Sequence, residues 1–256
     1  MTDASPDELR LIPLRGVPWV MPGDDLADIL FAALATSGQT LQVGDVLVLA
    51  QKIVSKAEGR LVHLPTVTPS TRAEELAQKT QKDARLVELV LLESAEVLRA
   101  VPGVLVVAHR LGMVLANAGI DRSNVDGHDC ALLLPVDPDA SSGALRREIK
   151  ARTGLDVAVL IIDSIGRAWR MGTVGTTIGA SGLPTLLNLR GTPDLFGRPL
   201  ETTEIGMADE LAAAASLVMG QGAEGRPIVL ARGVPYARTE ASAKNLIRPR
   251  DKDLFR

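Results

Sequence analysis

The clearest pattern along the chain is a set of short apolar runs bounded by turn residues. Asp45–Ala50, which starts at the Gly44-Asp45 turn, and Val157–Asp163 are the most continuous. Both are too short for a typical helix and predict buried strands. The β-branched run Val104–His109 follows Pro102-Gly103 and predicts another strand, with Gly112–Asn117 as its hairpin partner. Pro227–Arg232 predicts a further short strand. Helical spacing of apolar positions marks Asp25–Ala35 and Leu86–Arg99, the latter with acidic residues at Glu88, Glu93 and Glu96. Thr71–Lys79 opens on Thr71-x-x-Glu74, a helix-start signal, and Asp209–Met219 is an alanine-rich helix. Pro135–Ser142 predicts a turn region, followed by a charged helix over Gly143–Thr153 that Gly154 stops. Hairpins and helices mix without regular strand–helix alternation. That predicts a mixed α/β (α+β) fold rather than a doubly wound sheet.

Composition narrows the function. Of 256 residues, 46% are hydrophobic but only 2% aromatic, so the core is aliphatic. Few aromatics argue against stacking on nucleic-acid bases. The net charge of -3 gives no electrostatic footprint for nucleic acid or an anionic membrane. One cysteine, Cys130, excludes an intrachain disulfide and a thiolate metal cage, and reads as a small buried hydrophobe. No apolar stretch approaches the ~20 residues of a membrane span. Met1–Arg10 is acidic, without the apolar core of a signal peptide. The expectation is a soluble cytoplasmic protein. No internal repeat or linker divides it, and its weakest joint is Leu133–Ser142. We expect one domain over residues 1–240 and a basic, partly mobile tail over 241–256.

Several motifs bear on chemistry. Gly220-Gln221-Gly222-Ala223-Glu224-Gly225 matches G-x-G-x-x-G, but a helix precedes it and a strand follows. A dinucleotide fingerprint needs the reverse order, so a Rossmann reading is rejected. What remains is a helix cap, or a turn whose N–H groups approach a phosphate. No P-loop pattern occurs. Asp163-Ser164 closes a predicted strand, with Arg167 and Arg170 just beyond. A carboxylate there reaches a metal ion, and guanidinium groups clamp phosphate. The alternative is a capped turn beside solvated arginines. Asp121 and Asn124 are hard oxygen donors suited to Mg²⁺ or Mn²⁺, or else an Asx-turn. Lys56, in Ser55-Lys56-Ala57-Glu58-Gly59, is a point charge for a phosphate or an exposed loop lysine. His63, His109 and His128 share no metal-ligand spacing and receive no role. No G-x-S-x-G elbow is present.

Each motif is weak alone; their order is specific. Gly16-Val17-Pro18, Pro22-Gly23-Asp24-Asp25-Leu26, Lys52–Arg60, Asn117–Val125, Asp163–Arg167, Ile178–Gly182, Asp194–Arg198 and Met219–Gly222 follow one another in a succession that resembles the coenzyme F420-0:L-glutamate ligase (F420-0:gamma-glutamyl ligase) family. The resemblance covers roughly residues 10 to 235. It implies a family-specific mixed α/β fold, an intertwined homodimer, and GTP-dependent addition of L-glutamate to the phospholactyl side chain of F420-0 through an acyl phosphate. It implies that Val17, Pro18, Trp19 and Val20 line the nucleotide pocket, and that Gln51, Lys52 and Lys56 contact GTP. Asp121 and Asp163 would hold one Mg²⁺ or Mn²⁺, and Ser164 and Gln221 a second. A potassium ion is a further candidate. Asn124 would lie near the nucleotide, and Met219, Gly220, Gln221, Gly222, Ala223, Glu224, Gly225 and Arg226 would wrap it. Asp163, Arg167 and Lys56 would carry the chemistry. Gln51 departs from the Ser or Thr usual in the family, and Ser164 replaces the commoner Thr. The reductase-like extension of two-domain members is expected to be missing. Two other readings stay open: a same-fold ligase for another carboxylate, and a non-catalytic nucleotide- or deazaflavin-binding protein.

Overall fold

The computed structural model describes residues 8–125, 127 and 129–253, so the acidic N-terminus up to Asp7, His128 and the last residues of the tail lie outside the described residues. The chain runs β1 (Arg10–Pro13), α1 (Leu26–Thr36), β2 (Val46–Ala50), α2 (Gln51–Ala57), β3 (Leu61–His63), α3 (Thr71–Thr80), α4 (Ala84–Leu92), β4 (Ser94–Val101), β5 (Val104–His109) and β6 (Val114–Ala116). It continues with β7 (Cys130–Leu132), α5 (Pro138–Thr153), β8 (Ala158–Arg167), β9 (Arg170–Ser181), β10 (Leu187–Asn188), β11 (Glu204–Ile205), α6 (Met207–Met219) and β12 (Ile228–Arg232).

The architecture is mixed α/β, centred on a sheet of order β1-β12-β2-β8-β9 in which only β2 and β8 are parallel. Where both of its faces are covered, its strands are apolar. Leu47, Leu49, Val159, Ile161, Ile228 and Leu230 share one core with Leu30, Ala33, Leu145 and Ile149 of α1 and α5. Val46, Val48, Leu160, Ile162 and Val229 share the other with Ala208, Leu211, Ala212 and Ala215 of α6. Two glycines of β9 let helices press close. A Cβ at Gly175 would meet the Ala212 carbonyl of α6, and one at Gly179 the Pro138 carbonyl of α5. Arg232 clamps buried Asp45 with two bonds of 2.8 Å, tying the end of β12 to the start of β2.

A second, smaller layer packs α3 and α4 on the antiparallel meander β4-β5-β6, around Leu76, Val87, Val90, Leu105 and Val107. It carries the turn Asn117–Gly119, where Ala118 is buried at φ 54, toward the end of β2. The hairpin expected for β5 and β6 is present, pairing Val106 with Ala116.

Four expectations need correction. The helix read over Leu86–Arg99 ends at Leu92, and Ser94–Val101 is a strand paired with β5. Register shifts at Ser94/Glu96 and Val97/Arg99 break the strand's alternation, so its polar spacing imitates a helix. The turn region Pro135–Ser142 is largely the start of α5. Asp137 accepts from Ala140 N–H at 3.0 Å, and Pro138 takes the first helical position, where its missing N–H costs nothing. The cap of α3 is Ser70, one residue before the expected Thr71. Lys56 lies on helix α2 rather than in a loop. Cys130 is buried in β7, as read from the sequence.

The basic tail forms single helical turns at Ala243–Leu246 and Arg250–Lys252. Asp139 of α5 accepts from Ser242 Oγ at 2.5 Å and from Ala243 N–H at 2.9 Å. Arg250 pairs with Glu96 at 3.3 Å.

Candidate functional site

Because β2 and β8 run parallel with Ala50 opposite Ile162, their next residues, Gln51 and Asp163, emerge side by side at one edge of the sheet. β8 does not stop there. It continues with β9 alone as a ribbon to Arg167, so Asp163 sits within a strand, at the point where the sheet narrows to a hairpin. The ribbon is exposed on both faces and loses the apolar signal, which is why the sequence reading ended the strand at Asp163.

Asp121 approaches from the smaller layer. Its backbone is pinned by paired bonds of 2.9 Å to Leu132, and its carboxylate forms an ion pair with Lys52. Gln51 Nε2 donates to Asp121 Oδ2 at 2.6 Å, and Gln51 Oε1 accepts from Ser55 Oγ at 2.8 Å. Asp163 accepts from its neighbour Ser164 N–H at 2.8 Å. It is partly buried and borders the cavity described below. Burial, and then the Asp121 charge, push its carboxyl up to about 6 against the pull of Ser164 N–H, Lys52 and Gln51. Ser164 Oγ donates to Gln221 Oε1 at 2.6 Å, joining the ribbon to the glycine-rich loop between α6 and β12.

That loop closes another wall. Gly220 has φ 80, and a Cβ there would strike the Glu224 carboxylate, which accepts Gly222 N–H at 2.8 Å. Asn124 Nδ2 donates to Gly222 O at 3.2 Å, and Lys56 Nζ to Asn124 O at 2.9 Å. The Lys56 ammonium lies 3.8 Å from the centre of the Trp19 ring, within cation–π range.

These groups border one cavity of about 700 Å³. Its walls include Val17, Pro18, Trp19, Val20, Gln51, Lys52, Lys56, Asp121, Asn124, Asp163, Ser164 and the whole run Met219–Arg226. Arg167 is not among them. It stands four residues along the ribbon from Asp163, roughly 13 Å at strand rise, and donates to Met171 O at 3.2 Å. It borders a different cavity, of about 1160 Å³, together with Arg99, Trp169, Arg170, Asp209 and Arg248. The two cavities share Ala116 and Thr173 as wall residues. Ser55, Thr173 and Ser216 belong to the site or its support without having been read from the sequence. Ser55 was legible only as a polar residue on the inner face of a helix that the sequence reading had not assigned.

The charges along the wall balance: Lys52, Lys56 and Arg226 stand against Asp121, Asp163 and Glu224. An anionic nucleotide there needs a cation. No group of three or more His, Cys, Asp or Glu among the described residues is arranged to hold a metal. Mg²⁺ commonly takes one or two carboxylates and completes its shell with water and phosphate oxygens. Asp121, Asp163, Ser164 Oγ and Gln221 Oε1 are hard oxygen donors of the type it prefers. The donor set therefore fits a hard divalent ion shared with a phosphate. Of the histidines, exposed His63 and buried His109 lie outside this cavity.

A family model described as F420-0:Gamma-glutamyl ligase matches residues 16–233. The coenzyme F420:L-glutamate ligase of Methanothermobacter thermautotrophicus is 46% identical over 97% of this chain and 99% of its own length. Its counterpart in Methanopyrus kandleri is 45% identical over 97% and 98%, and that of Archaeoglobus fulgidus 43% over 97% and 96%. The family match spans both strands of the parallel pair, the Asp121 turn and the glycine-rich loop, so the chain belongs to the F420-0:gamma-glutamyl ligase family.

Proposed function

We propose that this chain is a GTP-dependent ligase that adds L-glutamate by an amide bond to the phospholactyl side chain of coenzyme F420-0. The observation that carries this reading is the pairing of Asp121 with Asp163 in the wall of a nucleotide-sized cavity that also holds Lys52, Lys56 and the glycine-rich loop. A carboxylate does not condense with an amine unaided, because oxide is too poor a leaving group. The substrate carboxylate attacks the γ-phosphorus of GTP, GDP leaves, and an acyl phosphate forms. The glutamate α-amine then attacks the acyl carbon. Phosphate departs with one former carboxylate oxygen, and the amine gives up a proton.

The chain's own residues do the positioning. Asp121 and Asp163 would hold one Mg²⁺ or Mn²⁺, and Ser164 and Gln221 a second. Bound there, the ions would supply positive charge that offsets the charge developing on the transferred phosphoryl group. Lys56, placed by Asn124 O and the Trp19 ring, sets a positive charge beside the glycine-rich loop. Walls formed by Val17, Pro18 and Val20 keep water from the acyl phosphate, which hydrolyses readily. Arg167 would act from the adjoining cavity, and potassium remains a candidate monovalent ion. The test is to incubate the pure protein with F420-0, GTP, L-glutamate and Mn²⁺. Products heavier by glutamate residues, with GDP released and ¹⁸O passing from the substrate carboxylate to phosphate, are expected. Nucleotide binding without mass gain would instead indicate a binding protein, and mass gain on another carboxylate a different ligase.

We further propose a soluble, cytoplasmic, intertwined homodimer with the family's own fold, neither Rossmann nor P-loop. Among the described residues no helix is long and apolar enough to cross a membrane. At the tip of the β8–β9 ribbon Trp169 is 87% and Met171 97% exposed. Leu195 and Phe196 are exposed on the segment between β10 and β11. Apolar projections of this kind mark association surfaces. Light scattering is expected to give twice the 27.1 kDa of one chain. A single-chain mass across micromolar concentrations would contradict the dimer.

A further inference from the structure

We propose that Gln51 is a positioning residue: it holds the Asp121 carboxylate in place beside Asp163 for a divalent cation and does not itself contact the nucleotide. The inference rests on the cation site proposed above. It reassigns a residue that the family resemblance placed against the nucleotide.

Gln51 is 1% exposed, and both ends of its amide are bonded within the protein. A primary amide offers one carbonyl oxygen and two N–H hydrogens. The oxygen accepts from Ser55 Oγ at 2.8 Å. The NH₂ group donates to Asp121 Oδ2 at 2.6 Å. An ionised carboxylate only accepts, so the NH₂ end must be the one that faces Asp121. Ser55, one helical turn on and wholly buried, then fixes the other end. Buried to 1% exposure and bonded at both ends of its amide, Gln51 presents almost no surface to a guanine or a phosphate.

The arrangement does something that a residue merely filling space would not. Two carboxylates at close quarters repel each other, and Lys52 pairs with only one of them. A neutral amide bound to Asp121, on the residue that emerges beside Asp163, fixes that carboxylate without adding a charge that would compete with a cation. Gln51 and Lys52 both bind Asp121 Oδ2, which leaves Oδ1 for the cation. Partners of this kind, which hold metal ligands rather than the metal, typically govern about 10–100-fold in metal affinity.

The test uses the purified full chain and Mn²⁺ as the probe, titrated calorimetrically with and without GDP. Gln51→Leu is expected to raise the Kd for Mn²⁺ roughly tenfold or more. Its metal-free affinity for GDP should stay within about twofold of the parent. Activity of the variant should recover at high Mn²⁺ with no matching dependence on GTP concentration. Ser55→Ala, a gentler change that also serves if Gln51→Leu does not fold, should weaken Mn²⁺ binding in the same direction. Ser55→Thr, which keeps the hydroxyl, should restore it. Unchanged Mn²⁺ affinity in both Gln51→Leu and Ser55→Ala would overturn the inference and leave the cation site standing. Loss of metal-free GDP affinity in Gln51→Leu would overturn it too, by making Gln51 a direct nucleotide contact. A parent protein that binds no Mn²⁺ in either condition would overturn the cation site itself, and this inference with it.

Discussion

Asp163→Asn is expected to slow ligation by roughly a thousandfold while making the metal-free protein more stable at neutral pH. The two effects have opposite signs because one carboxylate causes both. Its pKa lies at about 6, above the ordinary 3.8, chiefly through burial and secondly through Asp121. A carboxyl whose folded pKa is raised weakens folding wherever it is ionised. The penalty is fully present above the folded value and fades as pH falls toward the unfolded one. At about 1.4 kcal/mol per pH unit it amounts to about 2–3 kcal/mol at neutral pH. Asparagine keeps the shape and removes the charge, so that penalty goes. On the proposed function, the negative ligand that would position and balance a cation goes with it. Melting curves in EDTA should show the variant more stable near pH 7.5 and no more stable than the parent near pH 4. Turnover at limiting Mg²⁺ gives the second reading. Near-normal rates would remove Asp163 from the chemistry, and a lower melting temperature at neutral pH would contradict the strained carboxylate.

Glu93→Ala is expected to destabilise the fold by roughly 3–5 kcal/mol without touching the site. Glu93 follows α4, and its side chain is only 9% exposed. Its Oε2 lies 2.9 Å from Arg60 Nη2, 3.0 Å from Arg110 Nε and 3.6 Å from His109 Nε2. His109 Nδ1 accepts from Leu111 N–H, so Nε2 carries the proton that faces Glu93. Burial alone would raise the Glu93 pKa, but the close approach of His109 and Arg60, the Arg60 charge and the Arg110 hydrogen bond hold it down to about 2. Here the folded value is below the unfolded one. The stabilisation is therefore complete above about pH 4.5 and is lost as pH falls toward 2. Alanine leaves the largely buried Arg60 without its counter-charge, and that uncompensated cation is the main cost. Urea unfolding at neutral pH measures it, with Glu93→Gln as the control that keeps the shape and loses the charge. A change below about 1 kcal/mol for both variants would show the cluster to be energetically neutral, as exposed ion pairs often are.

Much of the central sheet was legible because its strands are buried on both faces. Val46–Ala50 and the first half of β8 carry unbroken apolar runs that no solvent-facing element tolerates. β4 and the outer part of the β8–β9 ribbon were not legible. β4 is half-exposed and bulged, so neither periodicity survives along it. The ribbon is stabilised by pairing with itself, which leaves no apolar mark. Helix α2 was missed for another reason. It starts directly on the last residue of β2, with no side-chain cap and no polar break to announce it.

At the site, the sequence by itself determined the cast. The ordered succession of Lys52, Lys56, Asp121, Asn124, Asp163, Ser164 and the Met219–Arg226 run named residues that all line one cavity. Only the tertiary structure decided how they relate. Asp121 lies 42 positions from Asp163 in the sequence, and their closeness depends on how the smaller layer docks against the parallel pair. Arg167, four residues past Asp163, was carried out of the group because a strand displaces each residue along its axis instead of curling back. Gln51 was placed by position yet oriented only by its surroundings: the Asp121 carboxylate that accepts and a serine hydroxyl that donates. Residue identity and order are local and survive in one dimension. Distances between carboxylates, and which end of an amide faces them, arise only when distant segments pack.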